Sequence, residues 1–166
     1  MKKLIMAAAG LIAAAVIFLI FFKSRSLEED KHKVLPEFSL TKLDGSISVF
    51  KKENYPKKLI LNFFGTECGL CSAEMNDIIS FSKTSKTDVL FLSPDSLSAI
   101  SNFASELKAR GVTYEGISFA KISIHDAKKI FSDAVVPQSI IFDEGLKIKR
   151  IKKGVLSYQF PKKSFE

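Results

Sequence analysis

The spacing of apolar and polar positions changes period several times along the chain, and each change predicts an element. Leu4 to Phe22 is an uncharged run behind Lys2 and Lys3. As a helix rising 1.5 Å per residue it spans roughly 28 Å, about one hydrocarbon core. Residues 23–35 mix charges without an apolar period and read as a linker. From Pro36, EFSLTKLDGSISVF alternates around Asp44-Gly45, which predicts a β-hairpin turned by that dipeptide. Leu59–Phe64 reads as a buried strand, ended by Gly65 and Thr66. Helical spacing follows, with Ala73, Met75, Ile78, Ile79 and Ser82 near one face. A second buried strand at 87–93 leads to a helix capped by Asp95 or Ser96, which runs through Ile100, Phe103 and Leu107 and stops at Gly111. Val112 to Ala120 shows no clear period. Ser123 or Asp126 opens a short helix through Ala127, Ile130 and Phe131, and 139–152 read as a hairpin turned at Glu144-Gly145. Strand–helix–strand–helix order implies parallel strands at the centre of an α/β sheet.

The boundaries that follow are an anchor at 1–22, a linker at 23–35 and one folded domain at 36–166. A cleaved signal peptide is the rival reading of the first segment. Its small-residue cluster, Ala13–Ala15, is followed by VIFLIFF, whereas a cleavage site closes the apolar region. The segment holds no cysteine, which excludes a lipid-anchored lipoprotein. It therefore reads as one uncleaved transmembrane helix. Lys23, Arg25, Lys31 and Lys33 after the span outnumber the two lysines before it, which by the positive-inside rule favours a cytoplasmic domain. A short basic N-terminus before an apolar run is nevertheless the pattern of a signal-anchor. The expectation is a single-pass protein of the cytoplasmic (inner) membrane with its domain facing the periplasm or cell exterior.

Composition changes this picture little. The apolar fraction of 46% and charged fraction of 26% suit a globular domain. The net charge of +7 is spread as lysines without a basic stripe interleaved with aromatics, so nucleic acid is not an expected partner.

Candidate chemistry sits where the first buried strand turns into its helix. Cys68 and Cys71 are the chain's two cysteines, with Gly69 and Leu70 between them. The first turn of a helix offers unpaired N–H groups and the positive end of the dipole, which favour a thiolate. A thiolate attacks disulfides, and a second cysteine one turn on is placed to close the bridge. A plain stapling disulfide is the bland alternative, but so short a loop removes little unfolded-state entropy. C-x-x-C at a strand–helix junction points to redox exchange.

NFFGTECGLCSAEM together with VVPQSIIFDEGLKIKRIKKG resembles the thioredoxin-like fold, specifically the membrane-anchored, extracytoplasmic TlpA/ResA-type thiol–disulfide oxidoreductases. PEFSLTKLDGSISVF is similar to the N-terminal hairpin those proteins add. The resemblance implies a central mixed sheet flanked by helices, plus that hairpin, behind one transmembrane helix. It implies Cys68 as nucleophile, Cys71 as resolving thiol, and a cis-proline at Pro137 that, with Val136, shapes the substrate groove. The redox-active disulfide is then the only prosthetic device. The partners are protein thiols or disulfides and a membrane redox donor or acceptor. Reduction for cytochrome c maturation, disulfide formation and disulfide repair all fit.

Departures from that family mark this chain. Glu67 stands where Trp usually precedes the first cysteine, and its charge opposes a thiolate at Cys68. Leu70 and Asn76 replace frequent prolines. The buried acid of thioredoxin corresponds to Asn62, which cannot ionise, and Glu74 is the candidate substitute, although a helical Glu is generally exposed. The alternative function is a Sco-like copper metallochaperone using both cysteines and His125, but that family spaces its cysteines by three residues. Cys₂His₂ zinc spacing is absent. A peroxiredoxin is disfavoured because Thr66 lies two residues before Cys68 instead of three.

Overall fold

A computed structural model describes residues 35–51, 54–55, 58–112, 115–145 and 147–155. The anchor at 1–22, the linker up to residue 34 and the tail from 156 lie outside the described residues. Among the described residues, no helix is long and apolar enough to cross a membrane.

The chain runs through β1 (Ser39–Lys42), β2 (Ile47–Val49), β3 (Leu59–Phe63), α1 (Gly69–Ser85), β4 (Asp88–Ser93), α2 (Leu97–Ala109), β5 (Ile117–Ile122), α3 (Ile124–Ile130), a 3₁₀ turn (Ser132–Ala134), β6 (Gln138–Phe142) and β7 (Ile148–Lys153). One seven-stranded sheet has the order β2-β1-β5-β4-β3-β6-β7. β3, β4 and β5 are parallel, while β6 and β7 on one side and β1 and β2 on the other join antiparallel. This is the thioredoxin-like α/β arrangement with a mixed sheet, and the added hairpin extends it beyond β5. Its turn follows the Asp44-Gly45 reading. Gly45 takes φ +83°, in the left-handed region where a side chain is disfavoured, and the Ser46 amide donates to Asp44 Oδ1 at 2.9 Å.

Strand pleating divides the core in two, because successive side chains face opposite sides. Leu59, Leu61 and Phe63 point to the side carrying α3, where they join Leu90, Leu92, Ala120, Ile122, Ile130, Phe131 and Ile140. Ile60 and Phe64 point to the side carrying α1 and α2, among Met75, Ile78, Val89, Phe91, Ile100 and Ile141. Both faces of β3 and β6 are therefore covered, which explains why they read as unbroken apolar runs.

Two readings need correction. Ala73 is exposed, and the buried face of α1 instead takes Cys71, Glu74, Met75, Ile78, Ile79, Phe81 and Ser82. The stretch without a clear period contains most of β5, whose sequence ISFAKI is aperiodic because apolar side chains serve both faces. Ala120 and Ile122 enter one core, while Ile117 and Phe119 pack on the other. The helix caps match the sequence reading. Ser96 accepts from the Ala99 amide and Ser123 from the Asp126 amide.

Phe131 ties α3 to the sheet by stacking on Phe63 with ring centroids 5.0 Å apart, and it is fully buried. Phe131→Ala should cost about 3–5 kcal/mol through lost burial and the cavity left behind. The midpoint shift in urea unfolding measures it.

Candidate functional site

The site lies at the end of β3, where the sheet stops and α1 begins. The Phe64 amide still bonds to the Leu92 carbonyl at 2.9 Å, so the last ordered step of the sheet falls four residues before Cys68. Cys68 is the N-cap of α1, with extended backbone angles (φ −87°, ψ 102°). Its Sγ accepts from the Cys71 amide at 3.2 Å, and its carbonyl receives the Cys71 and Ser72 amides. Cys68 and Cys71 are joined as a disulfide with their Cα atoms 5.2 Å apart. The two sulfurs differ in access. Cys68 is half-buried, whereas Cys71 is 0% exposed. That asymmetry is what a nucleophile and a resolving thiol require.

The loop ahead of the disulfide is pinned from a distance. The Thr66 amide and hydroxyl donate to Asp95 Oδ2 at 2.7 and 2.8 Å, and Ser93 Oγ donates to the same oxygen at 3.1 Å. Asp95 therefore does not cap α2, a role Ser96 takes, but bridges the β4–α2 and β3–α1 connections. Burial pushes the Asp95 carboxyl up, yet the three donors outweigh it and hold the group below its ordinary value. Sequence spacing gives no signal for this residue, because its partner lies 29 positions away.

The segment facing the loop comes from the turn before β6. The Val136–Pro137 peptide is cis. Asp133 and Ala134, just upstream, both take positive φ (65° and 46°), a strained conformation for Ala134. Val136 reaches the site. A Cβ placed on Gly65 would lie 3.8 Å from Val136 Cγ2 and 3.6 Å from Cys68 Cβ. Val135 and Leu70 stand out as exposed apolar side chains, at 53% and 64%.

Beneath the disulfide lies a small polar island in the apolar face. Glu74, one turn beyond Cys71, is 1% exposed, contrary to the usual fate of a helical Glu. Asn62 Nδ2 donates to Ser139 Oγ at 2.8 Å and to Glu74 Oε2 at 3.4 Å. Asn62 Oδ1 has no hydrogen-bond partner among the described residues, a deficit that typically costs about 1–3 kcal/mol. Ser139 had no signal in the sequence, since it sits within a strand of otherwise ordinary pattern. Glu67 is exposed at the mouth of the site, so solvent screens its charge from Cys68. His125 is exposed on α3, on the far side of the sheet from Cys71. The structure thus separates the third ligand of the copper reading from the thiols. Among the described residues, no group of three His, Cys, Asp or Glu side chains is arranged to hold a metal ion.

Residues 32–151, most of the sequence and nearly all of the described domain, match the AhpC/TSA family. The chain belongs to that family. No curated protein matches the sequence. Solved structures that it resembles include StoA from Bacillus subtilis (19% identity, TM-score 0.57, covering 79% of this chain and 97% of that one). A DsbF homologue from Corynebacterium diphtheriae is similar at 19% identity and TM-score 0.62, covering 78% and 83%. The pneumococcal exposed lipoprotein thioredoxin Etrx1 from Streptococcus pneumoniae is similar at 18% identity and TM-score 0.57, covering 78% and 97%. These likenesses are likenesses of fold. This AhpC/TSA chain, thioredoxin-like in fold and with its C-x-x-C pair bonded at a helix start, is a thiol–disulfide oxidoreductase.

Asp95→Ala should lower stability by about 1–3 kcal/mol, the usual cost of losing hydrogen bonds to a charged group. A carboxyl held low stabilises the fold above its unfolded pKa and loses that contribution as pH falls through the folded value. The gap between wild type and variant in urea unfolding should therefore be full at neutral pH and close below about pH 4.

Proposed function

We propose that the chain is a membrane-tethered, extracytoplasmic oxidoreductase of the TlpA/ResA type, which exchanges disulfides with protein substrates through Cys68 and Cys71. The observation that carries the exchange chemistry is the access asymmetry of the pair across the first turn of α1, and the tether rests on the uncharged run Leu4 to Phe22.

Reduction of a substrate proceeds as follows. The Cys68 thiolate, favoured by the amides of the first turn, attacks one sulfur of the substrate disulfide. The substrate S–S bond breaks, one substrate thiolate leaves, and a mixed disulfide forms at Cys68. Cys71 gives its proton to Glu74, which lies one turn along the same buried face, and the Cys71 thiolate attacks Cys68 Sγ. The second substrate thiolate leaves, takes up a proton, and the Cys68–Cys71 disulfide closes. A membrane redox donor restores the dithiol. The same steps in reverse, with a membrane acceptor, oxidise a substrate. Pro137 and the backbone of Val136 border the extended chain that carries the substrate sulfur, with Val136 offering it the edge for strand-like pairing. Roles in cytochrome c maturation and in disulfide repair both use this sequence of steps.

The peroxidase reading gains nothing from the structure. Its threonine would have to attend the reacting cysteine, whereas the Thr66 hydroxyl is committed to Asp95.

Expression of full-length Cys71→Ala should accumulate a covalent complex with the physiological partner, because the first attack succeeds and the resolving thiol is gone. Cys68→Ala should trap nothing and lose turnover. The trapped partner also reports the compartment, and a cytoplasmic protein recovered in this way would contradict the extracytoplasmic placement. Glu74→Gln should slow resolution of the mixed disulfide about 10- to 100-fold near neutral pH, less than a fully engaged general base is worth because solvent competes. Rapid-quench measurement across pH should show the defect shrinking as hydroxide takes over the proton.

A further inference from the structure

A groove of about 320 Å³ opens beside Cys68, between the start of α1 and one face of α2. Val136 and Pro137 do not line it, so it is separate from the edge just assigned to the substrate backbone. One wall carries Cys68 and Glu67, and the other carries Ala99, Asn102, Phe103 and Glu106. A disulfide presented to Cys68 has to bring its neighbouring residues against these side chains, since the reacting sulfur is part of the wall.

We propose that this groove is a specificity subsite for a cationic side chain, Lys or Arg, next to the half-cystine of the protein substrate. The inference rests on the exchange reaction proposed above. Each part of such a side chain meets its complement. Phe103 is partly buried and held by Phe64, with ring centroids 5.4 Å apart, and together with Ala99 it gives an apolar surface for the methylene stem. Glu67 and Glu106 are exposed at the rim, where a guanidinium or ammonium head keeps part of its hydration. Glu106 already pairs with Arg110 at 3.9 Å. That exposed i,i+4 contact is weak enough for an incoming cation to share it. Asn102 is exposed and presents an amide to the substrate backbone. This local acidity stands against a chain of net charge +7, so the groove contrasts with its surroundings. It also gives Glu67 a purpose. Exposed at the rim and screened from Cys68 while the groove is empty, the carboxylate gains a partner when a cationic substrate side chain docks.

The test uses reduced full-length protein in detergent micelles and single-cysteine peptides activated as neutral pyridyl disulfides. The peptides differ only in carrying Arg, Ala or Glu beside the cysteine, and release of pyridine-2-thione reports attack by Cys68. At low salt the Arg peptide should react about 5- to 20-fold faster than the Glu peptide, with Ala between them, and about 0.5 M salt should reduce the ratio to roughly twofold. In the Glu67→Gln/Glu106→Gln double variant the Arg-to-Glu ratio should fall to near one. Equal rates for the three peptides with wild type, or a preference that survives in the double variant, overturns the proposal. Hydroxyethyl disulfide, small and uncharged, separates the two levels of inference. Its failure to react at all would strike the exchange reaction itself, whereas normal reaction with it alongside equal peptide rates strikes only the subsite.

Discussion

The reactive end of this protein depends on one constraint: α1 has to begin where β3 leaves the sheet, with a cysteine as its cap. A helix start leaves amides without intrahelical partners. Here the Cys71 amide is directed at Cys68 Sγ, a poor acceptor as a disulfide sulfur and a much better one as a thiolate. The same hydrogen bond is thus stronger in the reduced, reactive state than in the oxidised one. That differential depends on the loop holding its shape, which the one turn bond inside it, from the Cys68 amide to the Gly65 carbonyl at 3.2 Å, does only in part. Asp95 supplies the hold from the neighbouring connection, and β3, covered on both faces, fixes where the loop departs.

The polar island at Asn62, Glu74 and Ser139 looks like a fault in an otherwise dry face. Burial of a carboxyl disfavours its charged form, and an unsatisfied amide oxygen adds to the cost. A stapling disulfide would need neither. A resolving thiol that is buried until the mixed disulfide forms is helped by a proton acceptor beside it, and Glu74 is placed on the same buried face one turn from Cys71. The energetic deficit at Asn62 is small beside the total burial of the two cores, so the fold tolerates it where the chemistry asks for it.

The sequence carried much of this, for identifiable reasons. Runs such as Leu59–Phe64 and caps such as Ser96 and Ser123 are local signals, and local signals survive into the fold. The disulfide was legible because two cysteines at this spacing fall at a strand–helix break. β5 was not, because Ile117 to Ile122 divides its apolar side chains between two cores and so shows neither a run nor an alternation. Glu74 was legible as a candidate and hidden as a buried group, since helical propensity says nothing about what lies across the interface. Asp95 and Ser96 stood as alternative caps for a different reason. Asp and Ser in succession are equally good caps on paper, and only the approach of Thr66 in space assigns Ser96 to the helix and Asp95 to the loop.

The distribution of contacts around the sulfur fits an enzyme that must let go of a protein. Two exposed apolar side chains flank the site, with Leu70 between the cysteines on the first turn of α1 and Val135 next to Val136. The carboxylates of Glu67 and Glu106 lie at the rim of the adjoining groove. A large apolar patch would bind substrate and product alike and delay release, since residence time rises with well-packed buried area. Rim charges act chiefly on the rate of encounter and on the choice of partner. With the proposed subsite, Glu67 in place of the bulky apolar residue usual in the TlpA/ResA type would move discrimination from the dry centre to the wet edge. The covalent bond at Cys68 then holds the complex only as long as Cys71 takes to break it.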